Sequence, residues 1–359
     1  MKSSCIISYF KTLYIFFIFL SLNIFFFSTI KCQAKAFDID NVNISRPFEI
    51  DFNKNEVIDE GFKEAFFRLV KLILNSSDQK KINTIKLNEI KGMIESFSIK
   101  EEKFINEVYF VNLGVTFNRK KIFNYLQSIN VFPSIPSEKK ILFIPVIIDE
   151  DIKELLLFSN NKIFEEWNKE NKKFHLIKYI LPTEDLEDLN LIKDKYELIE
   201  EYDFKEIINK YNLSDSIIAL IFKEKNQTRV LSKMNIQKKI IIKNQSFADL
   251  DIDDELQTKE MIEKLKIIYE DYWKDSNKIN TSIRLNLNVK VKNIESSKIK
   301  NFEKDLNEKD LIYDFFVTKI DKDFTYYQII FNGTPSTFLK TMKNYNYKFD
   351  TQNITWKIK

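Results

Sequence analysis

Residues Ile141–Ile148 read Ile-Leu-Phe-Ile-Pro-Val-Ile-Ile, an almost unbroken apolar run that follows the pair Lys139-Lys140. The run is too short for a bilayer span, which takes ~20 residues as a helix, and it has the length of a strand. A strand with no polar alternation has no face to give to water. It belongs inside a sheet that helices cover on both sides. The rest of the chain must therefore supply covering helices and neighbouring strands.

The surrounding pattern meets that demand within a central module, residues 137–278. Asn161–Trp167 has a helical pattern, Phe174–Leu181 a strand pattern, and Thr183–Leu189 is an acidic loop. Phe204–Tyr211 is a helix and Ser216–Phe222 a second buried strand. Arg229–Ile242 suggests a hairpin of two edge strands, and Glu255–Trp273 an amphipathic helix with Ile262, Leu265, Ile268 and Tyr272 inward. Alternating strands and helices predict a layered α/β sheet.

Residues 37–136 form an N-terminal α+β module. Phe37–Ile44 alternates loosely enough for an edge strand. From Asn55, the residues Val57, Phe62, Ala65, Phe66, Leu69, Val70, Ile73 and Leu74 recur at helical steps. Gly92 interrupts a second helical stretch, Leu87–Ile94. Ile105–Phe117 is strand-like, and Arg119–Ile129 is a helix with Ile122, Phe123 and Leu126 inward. The turn Pro133-Ser134-Ile135-Pro136 ends the module.

Residues 279–359 give the clearest pattern. Ile283, Leu285, Leu287, Val289 and Val291 alternate strictly with Arg284, Asn286, Asn288 and Lys290, the mark of a half-buried strand. A helix (Ser297–Leu306), strands Leu311–Ile320 and Phe324–Phe331, a helix from Pro335 capped by Thr334, and a last strand Phe349–Ile358 follow. The order β-α-β-β-α-β predicts a ferredoxin-like unit. The fold class is thus mixed α+β and α/β in three modules.

The first 36 residues differ in kind. Lys2 and Lys11 precede an apolar run, Leu13–Ile30, and Ala34-Lys35-Ala36 offers the small-x-small pattern that a signal peptidase reads. Residues 1–36 are therefore expected to be a signal peptide directing export to the periplasm. The alternative is an uncleaved anchor in the inner membrane with the rest facing the periplasm, and only that anchor would attach the protein to a membrane. Both cysteines, Cys5 and Cys32, lie in this leader, so the mature chain holds no disulfide or thiolate site. Losing the leader's lysines takes the formal charge from +3 to −1. A near-neutral chain gives no support to a nucleic-acid partner. Lys far outnumbers Arg, and Asn and Ile abound, which reads as compositional drift.

Most enzyme templates lack their residues. Gly61, Gly92, Gly114 and Gly333 are scattered, so no phosphate loop forms. His175 is the only histidine; it sits in a strand pattern without a nucleophile elbow and reads as a satisfied strand histidine. A zinc site has too few ligands. Asp249, Asp251, Asp253 and Glu260 match the first, third, fifth and twelfth oxygens of a calcium loop, but its sixth residue is Asp254 where such loops need Gly. The plainer reading is an acidic N-terminus for the helix from Glu255. Asp185, Glu187 and Asp188 could do acid–base work or stay solvated. Phe158, Phe164, Trp167 and Phe174 could line a ligand cleft or simply pack.

Five stretches together resemble an exported bacterial family known as domain of unknown function 2066. They are Gly61–Val70, Val115-Thr116-Phe117-Asn118, Ile141–Ile148, Asn160–Trp167 and Leu181–Leu189, with Asn118 and Thr183 where Asp and Gly are common. The resemblance covers most of residues 37–275. It implies an exported envelope protein of Gram-negative bacteria and no established activity. The functional expectation is a binding or assembly accessory protein with an envelope protein partner and no cofactor. The alternative is a carboxylate- or metal-dependent enzyme using residues 183–189 and 249–260, with calcium as the candidate ion.

Overall fold

A computed structural model describes residues 37–169, 175–224, 227–293, 296–309 and 311–359. It is a mixed α+β protein with ten α-helices and three sheets among the described residues. No helix among them is long and apolar enough to cross a membrane.

The first sheet has the order β1-β3-β2, from β1 (Asp38–Pro47), β2 (Ile94–Ile105) and β3 (Val108–Phe117), all antiparallel. Helix α1 (Lys54–Ile73) begins where the Asn53 side chain accepts the Asn55 N–H, and it lays Val57, Phe62, Ala65, Phe66, Leu69 and Val70 on the sheet. Gly61 lets the helix come close, because a Cβ there would run into Leu113 of β3. A short helix α2 (Ser76–Gln79) and α3 (Leu87–Met93) lead into β2, and α3 runs through Gly92 rather than breaking there. Residues Asn106 and Glu107, both at positive φ, turn β2 into β3. Helix α4 (Arg119–Ser128), capped by Asn118, closes the module.

The central sheet carries the strand that organises the sequence. Strand β4 (Lys139–Asp149) sits beside β7 (Ser216–Glu224), parallel to it from Leu142 to Asp149. On its other side, β6 (Ile177–Ile180) pairs with residues Lys139–Leu142 and β5 (Glu154–Leu156) with Ile147–Asp149. Both faces of β4 are buried: Ile141, Phe143 and Ile147 enter one core cluster, Leu142, Ile144, Val146 and Ile148 the other. Between β5 and β6 the backbone of β4 has no strand partner. There Asn161, fully buried, donates to the carbonyls of Pro145 and Leu156 at 3.1 and 3.2 Å. Pro145 is tolerated in a central strand because the donor it lacks would face this gap. Asn161 also caps α5 (Lys162–Glu166).

Helix α6 (Leu186–Lys193), α7 (Lys205–Lys210) and the long α8 (Glu255–Ser276) complete the layers. Strands β8 (Gln227–Ile236) and β9 (Lys239–Ala248) form the expected hairpin, turned by Gln237 and Lys238 at positive φ. Only β9 is an edge, because β8 pairs with β7 on its other side.

The third sheet has the order β11-β12-β10-β14-β13. Its elements are β10 (Leu285–Lys292), α9 (Ser296–Asn307), β11 (Ile312–Ile320), β12 (Phe324–Phe331), α10 (Pro335–Lys343), β13 (Phe349–Asp350) and β14 (Thr355–Ile358). Ile283 lies outside β10 and is exposed, and the last strand is divided into β13 and β14. Strand β10 is antiparallel to β12 and parallel to β14.

The first and third modules follow one plan. Each runs strand, helix, strand, strand, helix, and each sheet places the first strand beside the third and the third beside the second. In the third module β14 then takes the open side of the first strand. In the first module the chain after α4 leaves to become β4, so among the described residues no strand pairs with the outer edge of β1. Their buried side chains nevertheless form one connected cluster, from Phe37 through Phe66 and Phe123 to Val289, Phe302 and Phe338. Polar contacts follow the same seam: Lys120 pairs with Asp314 at 2.7 Å, and Tyr313 donates to Asn124 at 3.1 Å.

Candidate functional site

The acidic stretch 183–189 is a helix start rather than a loop. Asp185 caps α6 by accepting the Glu187 N–H at 2.8 Å, Glu187 is exposed, and Asp188 is buried against Lys210 at 2.7 Å. Lys210 also reaches Asp185. The backbone bond from Glu187 and the Lys210 ammonium hold the Asp185 carboxyl below its usual range, and the two aspartates push Lys210 upward. These are the shifts of a fixed ion cluster, opposite to the raised carboxyl that a general acid needs.

The stretch 249–260 is a capping turn. Asp254 accepts the Gln257 N–H at 2.8 Å and starts α8, with φ −82° where a calcium loop needs a left-handed residue. Asp251 accepts the Asp253 N–H, and Asp253 turns away to Lys223 at 2.9 Å and Lys162 at 3.4 Å. Lys223 lowers the Asp253 carboxyl below its usual range. Asp249 and Glu260 are exposed. Among the described residues no three His, Cys, Asp or Glu side chains gather as a metal would require.

The aromatic set is divided by the central sheet. Phe158 and Phe164 meet edge to face on one side. Trp167 lies fully buried on the other, stacked on Phe143 at 3.8 Å between centroids and edge-on to Tyr179. It is a core residue; Phe174 lies outside the described residues. The space beside Phe158 and Phe164 amounts to about 10 Å³, too little for a ligand.

A different set of groups does converge. Helix α8 carries charge on its inward face: Lys266, Glu270 and Lys274, four residues apart, are all buried. Their neighbours on that face are Ile262, Leu265, Tyr269 and Trp273. Where this face meets the end of α1, α2 and the segment before β6, a cleft of about 170 Å³ opens, lined by Lys71, Ser76, His175, Glu263, Glu270 and Lys274, among others. Glu270 is 3% exposed; its Oε1 accepts the Ile177 N–H at 2.8 Å, and its Oε2 has no hydrogen-bond partner among the described residues. Burial raises the Glu270 carboxyl above its usual range, against the Ile177 bond and the charge of Lys274. Burial lowers Lys274, whose Nζ donates to the Lys71 carbonyl at 2.6 Å. Asp271 closes one wall, accepting the Ser76 N–H at 2.8 Å and its hydroxyl at 2.5 Å.

Only His175 of this set stands out in the sequence, and there as a strand residue; it precedes β6 and lines the cleft. No protein-family model matches the chain and no curated protein matches it, so the site is read from its own geometry.

Proposed function

We propose that this is an exported protein of the bacterial cell envelope that acts by binding, as an accessory to assembly, and that it docks a partner protein by strand addition along β1. The third module is read here as a ferredoxin-like unit and the first as the same plan lacking its fourth strand. The observation that carries the proposal is the outer edge of β1, which stands where β14 completes the third sheet. An exposed edge presents backbone donors and acceptors to any extended segment, and strand addition uses them directly. The same sheet carries across one face an open groove of about 390 Å³, lined by Asn43 and Ser45 of β1, Phe110 and Asn112 of β3 and Lys103 of β2, which offers side-chain recognition. The leader and the resemblance described above support the compartment. The ion-paired acids at 185–188 and 253 favour binding over carboxylate catalysis.

The test is photocrosslinking in intact cells, with the crosslinker at Asn43 or Ser45 on β1 and, as a control, at Gln328 on β12. A defined protein adduct from the β1 positions and none from Gln328 is expected. No adduct from β1, or adducts from Gln328 alone, removes the proposal.

A further inference from the structure

We infer that the cleft between α8, α1, α2 and the start of β6 binds a small zwitterion, an α-amino acid or close derivative, whose ammonium meets Glu270 and whose carboxylate faces Lys274. Three observations converge on this. The first is the orphaned oxygen. Glu270 lines the cleft, and its buried Oε2 has no hydrogen-bond partner among the described residues, whereas Oε1 of the same carboxylate is satisfied by Ile177. A buried acceptor left unmade costs about 1–3 kcal/mol, more when charged, so a site that keeps one gains from a ligand that donates to it. A ligand lacking a donor cannot supply that bond.

The second observation is the mixture of signs. Glu270 and Lys274 stand one turn apart on α8, the acid four residues before the base, and both line the cleft. That order ordinarily favours a direct pair, yet Lys274 spends its short bond on the Lys71 carbonyl. A ligand with an ammonium alone would leave Lys274 unmatched. A ligand with an anion alone would leave Glu270 unmatched and meet its charge. A molecule carrying both charges a few bonds apart answers both residues.

The third observation is size and rigidity. The cleft's volume, about 170 Å³, is more than ten times the ~10–15 Å³ that one water requires, and is that of a small molecule rather than a peptide. Asp271 fixes the wall by its two bonds from Ser76, and Ile267 gives an apolar surface for a short side chain. The inference is independent of strand docking at β1.

Calorimetric titration of the full chain with each common L-amino acid, and with amine-only and acid-only analogues of any binder, tests it. At least one amino acid is expected to bind saturably with Kd below about 1 mM. Glu270→Gln and Lys274→Met should each weaken it about tenfold or more, the loss of one charge-assisted bond, while thermal melts show both variants folded. Absence of binding by every amino acid overturns the inference. So does unchanged affinity in either folded variant, or an amine-only analogue that binds as tightly as the zwitterion.

Discussion

The first and third modules share an element order and a strand order, yet one sheet ends at its first strand and the other continues past it. In the third, β14 lies parallel along β10 and packs Trp356 near Phe338 and Phe349. In the first, the chain that should return beside β1 becomes the organising strand of another sheet. The difference teaches that a fourth strand is dispensable for the plan when the sheet's inner face is covered otherwise. Here α1, with its stripe from Val57 to Ile73, does the covering, and the common core joins both modules.

The largest effects should come from that common core. Phe66→Ala and Phe338→Ala each remove a buried ring, at a cost of about 3–5 kcal/mol. Because the two rings belong to one cluster, chemical denaturation should show one cooperative transition shifted by either change. Separate transitions for the two modules would break the comparison. A smaller effect tests the fourth strand itself: Trp356→Ala should cost about 2 kcal/mol. It should also raise hydrogen exchange along β10 toward the level of β1. If β10 stays protected, β14 is not what distinguishes the two sheets.

A third change probes the contact between the central module and the first. Asp271→Ala removes both bonds to Ser76, at about 1–3 kcal/mol, and should loosen α2 in exchange measurements while leaving β10–β14 unchanged. The smallest effect lies in pH dependence at the same seam. The Glu270 carboxyl is raised in the folded protein, so the folded state binds the extra proton. Its contribution is complete below the ordinary glutamate value of 4.5 and is lost as pH rises through the raised value. Glu270→Gln should flatten that decline in melting temperature, and an unchanged slope would assign it to other groups.

Much of the framework was legible in the sequence because burial writes itself as periodicity. The unbroken run at 141–148, the helical stripes from Val57 and from Ile262, and the strict alternation at 285–291 all correspond to real elements. Strand β2 was not legible. Ile94–Ile105 lies at an edge, almost wholly exposed, and its charged residues carry no core pattern. Without β2 the shared plan of the two modules is invisible. The turns that make its hairpin and that of β8–β9 use Asn-Glu and Gln-Lys, with no glycine to announce them. The acidic residues at 183–189 read as a loop because capping and solvation use the same side chains.

The cleft was hidden for a related reason. A helix face is recognised by its apolar residues, and Lys266, Glu270 and Lys274 look like the solvent side. Their spacing of four, in phase with Leu265, Tyr269 and Trp273, is the signal that places them inward. Read that way, α8 has a charged column within its buried face, and such a column marks either an ion-pair network or a site.

The common core has a consequence for the order of events in synthesis. Phe66, Phe117 and Phe123 are made early, while Val289, Phe302 and Phe338, which belong to the same cluster, emerge roughly 170 to 270 residues later. At ~5–20 residues per second the early half waits on the order of ten to fifty seconds for its counterpart. The central sheet, whose strands and helices are continuous in the chain, can close in the meantime. A nascent chain of this design is held open at its two ends until the last strands arrive.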